Sequence, residues 1–180
     1  MAGLQNPIER PQAANWEAAL VRLTDRAVAC TNSDCEARAF PFDEASTSTC
    51  PWCGTKWRPD AEFALIDLFR PVSGRRGQYQ RDNWQIVAHH GRQLYEWHAH
   101  RDRPPGPCSN SQSVARFEYD VKKKSLYLIN TTTGLFTVLD KDGTVHKTQS
   151  QESCHLKNEA RIILGESQSV RLGLVRFPSH

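Results

Sequence analysis

The stretch Cys30–Gly54, "CTNSDCEARAFPFDEASTSTCPWCG", decides how this chain is divided. Its cysteines fall as C-x4-C-x14-C-x2-C, with Cys30 and Cys35 in one pair and Cys50 and Cys53 in the other. Two thiols on each of two tight turns, joined by a hairpin-length spacer, bring four sulfurs to one point, as a zinc ribbon requires. Gly54 follows the second "CPWC" ligand and can take the backbone angle needed there. "CTNSDCE" has the wider spacing and no such glycine. Four thiolates close a tetrahedral site with no position left for water, so the expected Zn²⁺ is structural. An iron–sulfur site can also use four thiolates, but no supporting motif accompanies it. A redox pair at Cys50 and Cys53 would need βαβ surroundings, which are missing. A module this short has little apolar area, and a structural zinc contributes about 10–16 kcal/mol on binding. Cys108 and Cys154 read as ordinary thiols.

Working outward, 180 residues allow one medium domain or two small ones. Hydrophobic residues make up 38%, which with the aromatic content reads as a folded chain with a modest core and substantial loops. The formal charge of +3 is too small to demand a polyanionic partner, which argues against nucleic acid. The N-terminus has no apolar signal region, and no run approaches about 18 apolar residues. The expectation is a cytoplasmic chain with no membrane partner, whose thiols stay reduced.

Upstream of the cysteines, residues 11–28 read as a helix. Trp16, Ala19, Leu20, Leu23 and Ala27 recur at three- and four-residue steps and form one apolar stripe. A lone helix cannot bury such a stripe, so it must pack on the next module or on a further domain. Downstream, "FALIDLF", "WQIVAHH", "QLYEWHA", "VARFEYDV", "SLYLIN", "GLFTVLD", "GTVHKT", "ARIILG" and "SVRLGLVRF" are short β-type runs separated by turn signals. In the last run, Val170, Leu172 and Leu174 alternate with Arg171 and Gly173. About nine or ten strands with no helix between them read as an antiparallel β-sandwich. The predicted fold is mainly β, with an N-terminal helix over 1–29, a zinc ribbon over 30–58 and a sandwich over 64–177.

Other motifs read as scaffold. His100-Arg101-Asp102 matches the kinase catalytic triplet, but "RPPG" and Pro107 replace the loop that carries the metal-binding Asn, and the chain has no DFG. The chain also offers no nucleophile–base pair, so no enzyme activity is expected. His98 and His100 are placed on one face of a solvent-facing strand, and "KKK" (122–124) in a hairpin turn.

Two resemblances follow. "RPQAANWEAALVRL" (Arg10–Leu23) resembles the last helix of a eukaryotic-like serine/threonine kinase domain, carried by Arg10, Pro11, Trp16, Ala19 and Leu20. The order helix, ribbon, sandwich is similar to the C-terminal region of bacterial kinases of the tellurium-resistance-associated triads. Those kinases accompany a von Willebrand factor A protein and a phosphatase. The β-rich part resembles a forkhead-associated (FHA) domain. Gly91-Arg92, "SVARFEY", "NTTTGL" and "HLKNEARIILGES" lie in order where that family carries its motifs. The resemblance implies phosphate or partner contacts at Arg92, Ser113, Arg116 and Thr133. The family's Arg, His and Asn are replaced by Val114, Arg116 and Thr133. The function implied is a non-catalytic interaction module of a kinase that docks a von Willebrand A protein. A phosphothreonine-peptide reader is the alternative, and a nucleic-acid-binding ribbon the next.

Overall fold

The computed structural model describes residues 11–43, 49–57, 63–105 and 112–178. Helix α1 (Ala13–Asp25) leads into β1 (Ala27–Ala29), which pairs antiparallel with β2 (Ala39–Pro41). The helix stops three residues short of the sequence expectation. Residues 27–29 are extended to pair with 39–41, and Val28 is buried there.

Two antiparallel sheets follow. One runs β4 (Tyr79–Ala88), β3 (Ala64–Pro71), β12 (Leu172–Arg176), β11 (Arg161–Ile163), β8 (Phe136–Leu139), β9 (Val145–Thr148). The other runs β10 (Ser153–His155), β7 (Ser125–Asn130), β6 (Ser113–Asp120), β5 (Gln93–Tyr95). Ile66, Ile86 and Val138 from the first sheet and Leu94, Phe117 and Leu128 from the second belong to one core cluster. The protein is thus mainly β, with two antiparallel sheets packed as a sandwich after the N-terminal helix and the cysteine-bearing segment. The three lysines lie in the β6–β7 turn, as the charge run implies.

Three local readings need correction. In β12 the inward residues are Gly173 and Val175, while Leu172 and Leu174 lie half-buried on the other face. The cause is close approach, because a Cβ on Gly173 would meet Ile66 Cγ2 at 2.8 Å. "QLYEWHA" is not one strand. After β5 the chain makes a single helical turn, α2 (Glu96–Ala99), with Trp97 3% and His98 1% exposed. Adjacent residues on a strand face opposite sides, so the helical turn lets both rings enter the interior. His98 therefore does not face solvent. Strand β10 carries only one buried residue, Cys154, and gives no periodic signal.

The ribbon does not hang from the sandwich. A second cluster joins Val28, Cys35, Phe40, Phe42 and Cys50 of the ribbon to Phe63, Leu65 and Val87 of the sheet. Phe42, Trp57 and Phe63 meet edge-on, with centroids 4.7–5.4 Å apart. Leu65 and Val87 point away from the sandwich core, so the outer face of β3 and β4 is the floor on which the ribbon sits.

One ion pair on a buried carboxylate gives a pH prediction. Lys157 donates to Asp140 Oδ2, and His146 Nε2 lies 3.1 Å from the same oxygen. The Lys157 ammonium, and then His146, hold the Asp140 carboxyl below its ordinary value despite burial, and Asp140 raises Lys157 in return. A folded-state pKa below the unfolded one means that the unfolded chain binds more protons in acid. The stabilisation is present at neutral pH and is lost as pH falls below about 4. Asp140→Asn should lower the melting temperature at pH 7 and flatten its decline below pH ~4, read by calorimetry across the acid range. An unchanged acid limb would refute the assignment.

Candidate metal centre

Each cysteine pair sits on a turn built by local hydrogen bonds. Asn32 Oδ1 accepts from Asp34 N–H, and Asn32 O accepts from Cys35 N–H at 3.1 Å. In the second turn Gly54 N–H donates to Cys50 O at 2.9 Å, and Gly54 takes φ +70°, as "CPWCG" implies. Cys30 N–H bonds Arg38 O, which closes the β1–β2 hairpin under the first pair.

The four sulfurs converge. All lie within 4.8 Å of one another, with Cys30–Cys53 at 3.6 Å and Cys35–Cys50 at 3.7 Å. A tetrahedron of sulfurs about 2.3 Å from a central ion has edges of roughly 3.8 Å, so these residues fit one metal ion. Cys35 and Cys50 are buried, whereas Cys53 is exposed. The charge distribution agrees. The Thr55 hydroxyl and backbone N–H draw the Cys53 thiol down to about 6. Cys30 is pushed up to about 12, since burial and the three neighbouring sulfurs outweigh the Asn32 N–H that favours its thiolate. Burial raises Cys35 as well. Four sulfurs without a cation favour one thiolate and resist the next, and a bound cation removes that conflict.

The residues implied for phosphate do not form one site. Arg92 Nη2 donates to Thr24 O and Ala27 O at 3.1 and 2.8 Å, tying the end of α1 and the start of β1 to the sandwich. Arg116 forks onto Glu118 on the exposed side of β6. Gln93 pairs with Arg116 across the ladder, so Arg92, one residue earlier, projects from the opposite face. Ser113 donates to Ala115 O, and Thr133 is exposed in its turn. Ser113 is drawn to the β7–β8 loop that carries Thr133, through Thr131 Oγ1, which donates to Ser113 O at 2.7 Å. Asn130 organises that loop, donating to Gly134 O and Thr148 O and accepting from Thr132.

Sequence reasoning missed a buried polar latch. Asp25, 4% exposed, accepts from Trp84 Nε1 at 2.8 Å and lies 3.0 Å from His98 Nε2. Tyr95 N–H donates to His98 Nδ1, while Trp97 Nε1 and Asp25 Oδ2 both lie 3.0 Å from His98 Nε2. Arg22 and Arg171 cover the Trp84 ring at 5.0 and 5.2 Å. The available signal was Val21 and Asp25, four apart, a carboxylate on a helix face that also carries an apolar residue. That face turns inward, leaving Trp16, Leu20 and Leu23 at 61, 57 and 49% exposure. Among the described residues no helix is long and apolar enough to cross a membrane. Comparison with known protein families, curated proteins and solved structures gives no match.

Proposed function

We propose that this chain is a non-catalytic interaction module in which a structural Zn²⁺ on Cys30, Cys35, Cys50 and Cys53 locks a helix to an FHA-like sandwich. The observation that carries the reading is the uncovered Trp16–Leu20–Leu23 stripe on a helix whose other face is clamped. An isolated helix would not hold such a stripe in water, so it is a surface waiting for a protein body. The resemblance of Arg10–Leu23 to the last helix of a kinase supplies that body as the kinase's own catalytic domain. The module then extends from it as a rigid arm. The ribbon and sandwich carry the contact for a second protein, a von Willebrand factor A protein on the same resemblance, with Trp52 (66% exposed) at the ribbon tip. Arg92 is occupied by helix and strand carbonyls, which disfavours the phosphothreonine reading through that residue.

The test has two arms. In the first, Trp16→Glu with Leu20→Glu should leave the melting temperature of the chain within about 2 °C, since neither side chain is covered. The same pair should abolish co-elution with the kinase catalytic domain supplied as a separate chain. In the second, co-elution with the von Willebrand A protein should survive that pair and be lost in Trp52→Ala. Absence of either complex for the unsubstituted chain overturns the corresponding half of the reading.

A further inference from the structure

The end of the sandwich distant from the ribbon holds a cleft of about 1040 Å³, walled by the β3–β4 hairpin, the start of the loop after α2 and the β11–β12 loop. From the geometry we infer that this cleft binds a phosphate monoester through Arg75, Arg76 and Arg101. All three residues line the cleft. Among the described residues none of the three has a carboxylate within ion-pair distance, whereas Arg81, Arg103, Arg116, Arg171 and Arg176 all do. Asp102 and Glu166 are the carboxylates of the wall, so the arginines leave a positive excess. A guanidinium presents paired N–H donors that match phosphate oxygens, and three around one cavity favour a dianion over a carboxylate.

The walls are fixed, which a binding cleft needs. Arg171 is buried, pairs with Asp82 at 2.7 Å and donates to Trp97 O and His100 O. Asp82 reaches it because β4 bulges there, the register passing from Trp84 to Arg81 against Leu68 and Phe69. Arg101 N–H donates to Ser169 O at 2.9 Å, and Arg101 Nη1 donates to Pro71 O at 3.3 Å, so one residue ties all three loops together. Ser167 and Ser169 hydroxyls, 2.9 Å apart and each 3.4 Å from His100 Nδ1, add neutral donors beside the arginines. The hairpin tip is "SGRRG", with Gly74 and Gly77 at φ +73° and +78°, which sets Arg75 and Arg76 between two left-handed turns. The cleft is much larger than inorganic phosphate, so the phosphoryl group belongs to a bigger molecule. A phosphorylated side chain and a nucleoside monophosphate share this chemistry. The inference is independent of the docking reading and uses neither the metal nor α1.

The test titrates the full chain with inorganic phosphate, a phosphothreonine peptide and a nucleoside monophosphate, followed by calorimetry at low salt. At least one organic phosphate should bind more tightly than inorganic phosphate, and binding should weaken as salt rises. Arg75→Ala with Arg76→Ala should weaken it about tenfold or more with no change in melting temperature. Arg92→Ala should leave the affinity unchanged. Tighter binding of the peptide assigns the source to a phosphorylated side chain, and tighter binding of the nucleotide assigns it to a free ligand. The inference is overturned if no probe binds at millimolar concentration, if the double variant binds as well as the parent, or if Arg92→Ala alone removes binding.

Discussion

Cys50→Ser, or exhaustive chelation of the reduced protein, is expected to release the metal, melt the ribbon and lower the melting temperature of the remaining sandwich by about 10 °C or more. The first effect follows from size. Beyond its four-sulfur cluster the ribbon has a two-stranded sheet of three residues per strand and a small apolar cluster, too little to balance chain entropy. The second follows from the shared cluster. Phe63, Leu65 and Val87 are buried beneath the ribbon, and exposing a large apolar side chain costs about 1.5–3 kcal/mol. Metal content by elemental analysis, the near-ultraviolet signal of Trp57 and calorimetry should therefore change together. Full metal loss with an unaltered Trp57 signal and melting curve would show that the sulfur cluster does not hold the joint.

The second large effect is expected at the latch. Asp25→Ala removes the acceptor for Trp84 Nε1 and a partner of His98 Nε2, leaving the buried Trp84 donor unsatisfied. Hydrogen bonds to charged groups contribute about 1.5–3 kcal/mol each, so a loss near 3 kcal/mol is expected. Calorimetry reads that loss, and hydrogen exchange should show α1 amides opening before those of β6 and β7. Arg92 still holds Thr24 O and Ala27 O, so the ribbon should retain its metal. A variant with unchanged helix protection would mean that Val21 packing and Arg92 alone secure α1. Separate measurement of metal content and helix protection distinguishes this lesion from that of Cys50→Ser.

The quartet of cysteines could be read from sequence because metal ligation needs spacing and little else. Both turns follow from local residues, Asn32 in one and Gly54 in the other. The strands were legible where turn residues bracket them, as at the lysine turn between β6 and β7. What escaped was decided by distant packing. The inward face of β12 depends on Gly173 yielding space to Ile66, a contact between residues more than a hundred positions apart. The helical turn at Glu96–Ala99 exists because Trp97 and His98 must both reach the interior, and His98 finds Asp25 in an element 73 positions away. Arg92 looked like a phosphate ligand from its neighbours in sequence, yet its partners lie on α1 and β1. "RPDAEF" (58–63) and Cys108 fall on or beside residues outside those described.

The order of strands in the larger sheet bears on how this chain leaves the ribosome. Strand β12 lies between β3 and β11, so the last described strand to be synthesised occupies the middle of its sheet. Until residues 172–176 emerge, β3 with β4 and β11 with β8 and β9 are two separate fragments, each with an open hydrogen-bonding edge. At about 5–20 residues per second, the interval from β4 to β12 lasts roughly 4–20 seconds. Nascent chains halted before residue 172 should therefore be the most susceptible to chaperone capture and proteolysis.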